Sequence, residues 1–196
     1  AEFEELCKNK KKDAGMIRVC GCVNSQKSHM MYALGDGCKY KYKVIACSSE
    51  TKAKQIYEEY RFLDSNTYLY PAKDFLFYQA DIRSKELVKQ RMEGIQAVLS
   101  GEPVTVVTSL DGFMDHLAPK ESIAEKVLKI QNDSVLKLDE MAEKLSVIGY
   151  DREVQVEGPG QFAVRGGILD IYPLTEELPV RIELWGDEVD SIRTFD

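Results

Sequence analysis

The chain has 196 residues, 44% apolar and 30% charged, with 33 Asp+Glu against 26 Lys+Arg for a net charge of −7, a composition ordinary for a soluble globular protein of one large or two small domains. No apolar run approaches the ~20 residues that cross a bilayer, and the opening AEFEELCKNKKKDAG is too polar for a signal peptide. Five cysteines (Cys7, Cys20, Cys22, Cys38, Cys47), an odd count without CxxC spacing or a histidine cluster, argue against a disulfide framework or zinc site and for a reducing cytoplasm.

Residues 2–12 read as a helix ending in a lysine-rich run, Lys8 to Lys12, a solvated face. Met16–Cys20 (MIRVC) is short and apolar, as a buried strand would be, and a loop opened by Gly21 leads into a helical pattern from Lys27 to Leu34. Val44–Cys47 predicts a second strand and Glu50–Leu63 a helix, with Ala53, Ile56, Tyr57 and Tyr60 spaced along one stripe. Thr67–Tyr70 predicts a third strand closed by Pro71, Ser84–Leu99 a long helix capped at Gly101, and Val104–Thr108 a fourth strand before a short helix near Leu110–His116. Strands alternating with helices in this way predict an α/β domain, a parallel sheet with helices on both faces.

The character changes at Ala118-Pro119-Lys120. Val127–Ile130 reads as a strand; Leu138, Met141, Leu145 and Ile148 keep helical spacing up to Gly149; short strands with Gly and Pro turns run to the end. One helix and consecutive strands predict a small α+β domain, mostly antiparallel sheet plus one helix. The expected division is 1–118 and 119–196. Both ends look abrupt, as in a segment of a longer chain. Residues 119–196 hold 9 Lys+Arg and 17 Asp+Glu, a net of −8, which leaves 17 and 16, a net of +1, for residues 1–118. Duplex binding is driven by cations displacing counterions, so the acidic second domain fits a protein partner better than DNA.

The loop Gly21-Cys22-Val23-Asn24-Ser25-Gln26-Lys27-Ser28 is the phosphate-cradling pattern G-x-x-x-x-G-K-[ST] with Gln26 in place of the second glycine. It lies where such a loop belongs, between an apolar strand and a helix. In a working loop, backbone N–H groups hold the phosphates, Lys reaches their charge and Ser binds Mg²⁺. A side chain at the second glycine obstructs that close approach. Two readings stand: Lys27 and Ser28 are relics, with Ser25 serving as a helix cap, or the loop binds ATP weakly. No DExx-type acidic strand end is present to hold Mg²⁺. His29 and His116 are isolated, Asp187, Glu188 and Asp190 rim a turn after Gly186, and Tyr68, Tyr70, Phe75, Phe77 and Tyr78 form an aromatic group best read as core or interface. No metal site or catalytic group is expected.

In PVRIELWGD, alternation sends Val180, Ile182 and Leu184 to one face of a strand and Arg181, Glu183 and Trp185 to the other. The chain's single tryptophan is then either an exposed hot spot beside an arginine or a ring covered by a neighbouring helix.

The block QFAVRGGILDIYPLTEELPVRIELWGDEVDSIRTFD closely resembles a signature shared by UvrB, the nucleotide-excision-repair helicase, and the N-terminal region of the Mfd family of bacterial transcription-repair coupling factors. VIACSSETKAKQIYEEY resembles a helicase-type second motif, and VTVVTSLDGFM a later strand and helix, so the likeness covers roughly residues 14–196. UvrB keeps an intact phosphate loop and inserts a tyrosine-rich hairpin after its third strand. Gln26 breaks the loop here, and the stretch from Tyr70 to Ser84 leaves no room for the hairpin, so the chain is more similar to the coupling factors. That resemblance implies a degenerate P-loop helicase-like first domain without ATP or Mg²⁺, and a second domain that docks onto UvrA through two arginines and an aromatic. By motif these are Arg165 in AVRGG, Arg181 in PVRIE and Trp185 in ELWGD, where relatives usually have Phe. It further implies that the surface is masked in the full-length protein until the motor engages stalled RNA polymerase. The ATP-driven motor on double-stranded DNA and the polymerase-binding region would lie beyond residue 196. The alternative is a UvrB-type helicase fragment that contacts damaged DNA.

Overall fold

The computed structural model describes residues 18–73, 81–124 and 126–196. The helix expected at 2–12, the residues Met16 and Ile17, and the aromatics Phe75, Phe77 and Tyr78 lie outside them. The described residues fall into two compact units. One comprises those up to residue 73 with Gln90–His116, the other Asp81–Lys89 with Leu117–Asp196.

The first unit is an α/β layer. Strands β1 (Tyr42–Cys47), β2 (Thr67–Tyr70) and β3 (Val104–Ser109) form a parallel sheet in the order β1-β3-β2. Helices α1 (Asn24–Cys38), α2 (Glu50–Arg61), α3 (Asp81–Ser100) and the single turn α4 (Leu110–Phe113) complete the described elements up to residue 116. The stripe expected on α2 is real: Ala53, Ile56 and Tyr60 are buried, and the first two pack with Cys47, Leu69 and Val107 of the three strands. Ser49 caps α2 by accepting the Lys52 N–H at 3.3 Å, which satisfies one of the orphan donors of a helix start. Residues 18–20 of the expected first strand do not join the sheet, which has three strands among the described residues. Apolar character marks a run for burial but does not supply a ladder partner, and Val19 stays 45% exposed.

The second unit is α+β. After α5 (Lys120–Ala124) and α6 (Leu138–Ile148), strands β4 (Asp151–Arg152), β5 (Gln161–Arg165), β6 (Ile168–Ile171), β7 (Val180–Trp185) and β8 (Glu188–Thr194) build a sheet in chain order. Only β4–β5 is parallel; the other pairs are antiparallel. Met141, Ala142 and Leu145 of α6 close one face, packing with Phe162, Leu169, Ile171, Ile182 and Val189. Gly149, at φ +110°, ends the helix in the left-handed conformation that glycine adopts without steric cost. The strand expected at Val127–Ile130 is absent: Leu128 and Ile130 pack on this core from chain that joins no ladder. The sheet is instead extended past β8 by a single antiparallel bridge, Val135 to Glu188.

Candidate protein-docking site

With α6 on one face of the five-stranded sheet, alternation decides what the other face carries. On β7, Ile182 is buried in the core, while Trp185 on the opposite side is 85% exposed. Of the two readings for this ring, exposure is the one realised in the chain. Strand registry places Asp170 directly opposite Arg181, Ile168 opposite Glu183, Arg193 opposite Arg181 and Glu188 opposite Trp185. Arg165 stands at the end of β5, opposite Ile168, where Gly166 at φ +60° begins the two-residue turn into β6. A positive φ at the first central position is what a tight hairpin of this kind needs, and glycine provides it.

The two arginines singled out in the sequence meet on one carboxylate. Arg165 Nη2 donates to Asp170 Oδ2 at 2.7 Å; Arg181 donates through Nε to Oδ1 at 2.7 Å and through Nη2 to Oδ2 at 2.8 Å. The Arg181–Asp170 pair is thus a two-pronged fork, the strong geometry for guanidinium and carboxylate. Asp170 is 1% exposed, whereas the side chains of Arg181 and Arg165 remain 24% and 47% exposed. Burial pushes the Asp170 carboxyl up, but hydrogen bonds from Arg181 and then Arg165 outweigh it and hold the group below the usual carboxylate range. The bond to Asp170 likewise raises Arg181 above its ordinary value. The Phe195 ring lies under the Arg181 guanidinium at 4.5 Å, a cation–π contact.

Farther along β7, Glu183 is engaged by Arg193 and by the Ser191 hydroxyl, which donates to Glu183 Oε2 at 3.0 Å. Its charge is therefore turned toward β8. Trp185 lies four residues from Arg181, roughly 13 Å along the strand at the usual rise per residue. Val135, 79% exposed and on the same face across Glu188, adds to the apolar end. The face therefore has a cationic end, where two arginines and one aspartate leave a net charge of +1, and an apolar end. Asp170, Arg193 and Phe195 were not singled out by the sequence reading. Asp170 had a signal: a charged residue inside the apolar run Ile168–Ile171 needs a counter-charge opposite it.

The phosphate-loop residues are occupied internally. Gly21, at φ +84°, opens the loop, and α1 starts at Asn24 with Val23 as its cap residue. Ser25, expected to cap this helix, lies in its first turn instead. The Gln26 side chain folds back, its Oε1 accepting the Val23 N–H at 3.4 Å, while the Gln26 N–H donates to the Val23 carbonyl at 3.1 Å. Ser28 is 2% exposed and donates its hydroxyl to Glu59 Oε2 at 2.7 Å, the main cause holding that carboxyl below its ordinary range. Lys27 is exposed. His29, His116 and the acidic turn residues Asp187, Glu188 and Asp190 lie on the surface. Of the aromatic group, Tyr70 is buried beneath Arg91, whose guanidinium lies 4.2 Å from the ring and pairs with Asp115 at 2.7 Å. Among the described residues no group of three or more His, Cys, Asp or Glu is placed to hold a metal ion, and no helix is long and apolar enough to cross a membrane.

A small α+β unit with a helix on one sheet face and an arginine–tryptophan strand face on the other is the class that residues 117–196 define. Residues 128–196 match the family model of the UvrB interaction domain. The chain is 40% identical over 132 residues to the transcription-repair-coupling factor of Bacillus subtilis (strain 168), covering 67% of this chain and 11% of that protein. It is 38% identical over 133 residues to the transcription-repair-coupling factor of Staphylococcus epidermidis, and 34% over 137 residues to that of Staphylococcus aureus (strain USA300), with 68% and 69% of this chain and 11% and 12% of theirs covered. Over these residues the chain is a relative of the bacterial transcription-repair-coupling factors. It spans about a tenth of their length.

Proposed function

We propose that this chain is an adaptor of transcription-coupled nucleotide excision repair: it recruits UvrA by docking it on the outer strand face of the C-terminal unit. The observation that carries this reading is the Asp170-held pair Arg165 and Arg181 beside an 85% exposed Trp185, within the residues that match the UvrB interaction domain. Arginine and tryptophan are the residues that dominate protein–protein hot spots, and a sheet holds them with little entropy left to lose. The guanidinium edges not used by Asp170 suit partner carboxylates, and the exposed ring suits an apolar pocket. The acidic remainder of the unit disfavours nucleic acid at this face.

In the same reading the first unit is a degenerate P-loop helicase-like domain. It performs no catalysis and takes no ATP or Mg²⁺, because Gln26 and Ser28 spend their polar groups within the fold. The whole protein would be a cytoplasmic ATP-dependent DNA translocase that also binds RNA polymerase and double-stranded DNA outside these residues. A pull-down tests the adaptor reading: the immobilised chain should retain UvrA in nuclease-treated buffer, and failure to retain it would count against the reading.

A further inference from the structure

We propose that Asp170 is the positioning residue of this docking face, and that the surface is a preassembled Arg–Asp–Arg clamp rather than two independent arginines. The inference rests on the docking reading above. Asp170 is the one carboxylate within bonding distance of both arginines among the described residues, and it is 1% exposed, so it reaches a partner only through them. Its two oxygens accept three charged hydrogen bonds, from Arg165 Nη2, Arg181 Nε and Arg181 Nη2. Those bonds use the Nε–Nη2 edge of Arg181 but only one Nη2 hydrogen of Arg165, and leave Arg181 Nη1 and the Nη1 and Nε donors of Arg165 for a partner. Glu183, the neighbouring carboxylate on the same face, bonds to Arg193 and Ser191 and makes no hydrogen bond to Arg181. Phe195 supports the Arg181 guanidinium from its flat side.

Fixing an arginine in advance removes part of the ordering cost that binding otherwise carries. The partner implied is a surface whose carboxylates are spaced to meet two fixed guanidiniums at once, as in bidentate recognition. Lysine at position 181 would not serve, since an ammonium has no planar edge with which to bridge both Asp170 oxygens while a second edge faces a partner.

The test uses Asp170→Asn in the 196-residue chain, because positioning and bulk charge predict opposite signs. The substitution adds one positive charge to the face, so attraction alone would tighten binding to an acidic partner and speed association. Positioning predicts weaker binding, by about tenfold for two side chains left to be ordered on association, carried by faster dissociation. Surface plasmon resonance with UvrA reads both rates, with Arg181→Ala as the reference for losing one arm. The arginine Nε–H signals in NMR provide a readout without the partner. In the wild-type chain the Arg181 Nε–H should exchange slowly with water, and in Asp170→Asn rapidly. Unchanged melting of the variant with these two changes supports the clamp. Wild-type affinity or tighter in Asp170→Asn, while Arg181→Ala weakens binding, would overturn it and leave the docking reading intact. An Arg181 Nε–H that exchanges equally fast in both chains would overturn it as well. No binding of UvrA by the wild-type chain would overturn the docking reading itself, and the clamp with it. Should Asp170→Asn unfold, Arg181→Lys is read instead, since lysine keeps the charge but not the two-pronged fork on Asp170; wild-type binding in that variant would contradict the clamp.

Discussion

Replacing Trp185 by alanine separates a docking residue from a packing one, because the two roles predict different free energies in different assays. An aromatic side chain presents roughly 150–250 Å². Trp185 keeps 85% of its surface exposed, so the folded chain covers roughly 40 Å², worth ~1 kcal/mol at about 25 cal/mol per Å². Trp185→Ala should therefore change the stability of the C-terminal unit by less than ~1 kcal/mol in urea unfolding. Phe162→Ala is the internal contrast: Phe162 is 0% exposed in the core beneath α6, and its truncation should cost ~3–5 kcal/mol. The roughly 200 Å² of Trp185 left in water sets an upper limit near 5 kcal/mol for burial by a partner. Part of that is offset by ordering, so a loss of ~2 kcal/mol or more, about thirtyfold in UvrA affinity, is expected. A Trp185→Ala chain destabilised by more than ~2 kcal/mol, with UvrA affinity unchanged, would refute the assignment of the ring to a partner.

Three further outcomes follow from the geometry. The Asp170 carboxyl titrates lower folded than unfolded, so its stabilisation is complete above the unfolded value near pH ~4 and is lost as pH falls through the folded one. Urea midpoints of the wild-type chain should fall between pH ~5 and pH ~3, and those of Asp170→Asn should fall less; parallel slopes would contradict the pairing. Calorimetry should detect no micromolar ATP binding with or without Mg²⁺, and Gln26→Gly should not restore it, since Ser28 remains bonded to Glu59; ATP binding abolished by Lys27→Ala would contradict this. In the first unit, Arg91→Ala strands the largely buried Asp115 and removes the bond to the Pro71 carbonyl at 2.6 Å. It should lower stability by ~3 kcal/mol, as breaking a buried ion pair does; a variant that melts like wild type would remove that pair from the fold's supports.

Much of the architecture was legible because its elements are short and strongly patterned. The stripe Ala53, Ile56 and Tyr60, the strand Thr67–Tyr70 between turn residues, and the helix ending at Gly149 each carry a local signal that tertiary packing reinforces. The two misreadings share a cause. Residues 18–20 end the short run MIRVC, and Val127–Ile130 carries three apolar residues around Lys129, but strand identity depends on a ladder partner that no local pattern reports. At the candidate site, alternation on β7 was sufficient to place Arg181 and Trp185 on the face opposite Ile182. The convergence of Arg165 and Arg181 on Asp170 was not legible. It depends on antiparallel registry between β5, β6 and β7, set by the Gly166 turn and by a connection of eight residues between Ile171 and Val180. Exposure of the ring likewise depends on which sheet face α6 covers.

The strand face carrying Arg165, Arg181 and Trp185 is the surface on which UvrA is proposed to dock. Calorimetric titration of UvrA with the wild-type chain and with Arg181→Glu tests it most directly, since charge reversal leaves two carboxylates side by side where one was bridged. The wild-type chain should bind saturably at 1:1, and the variant, its fold verified by circular dichroism, at least about thirtyfold more weakly. Equal affinity of the two chains for UvrA would contradict it.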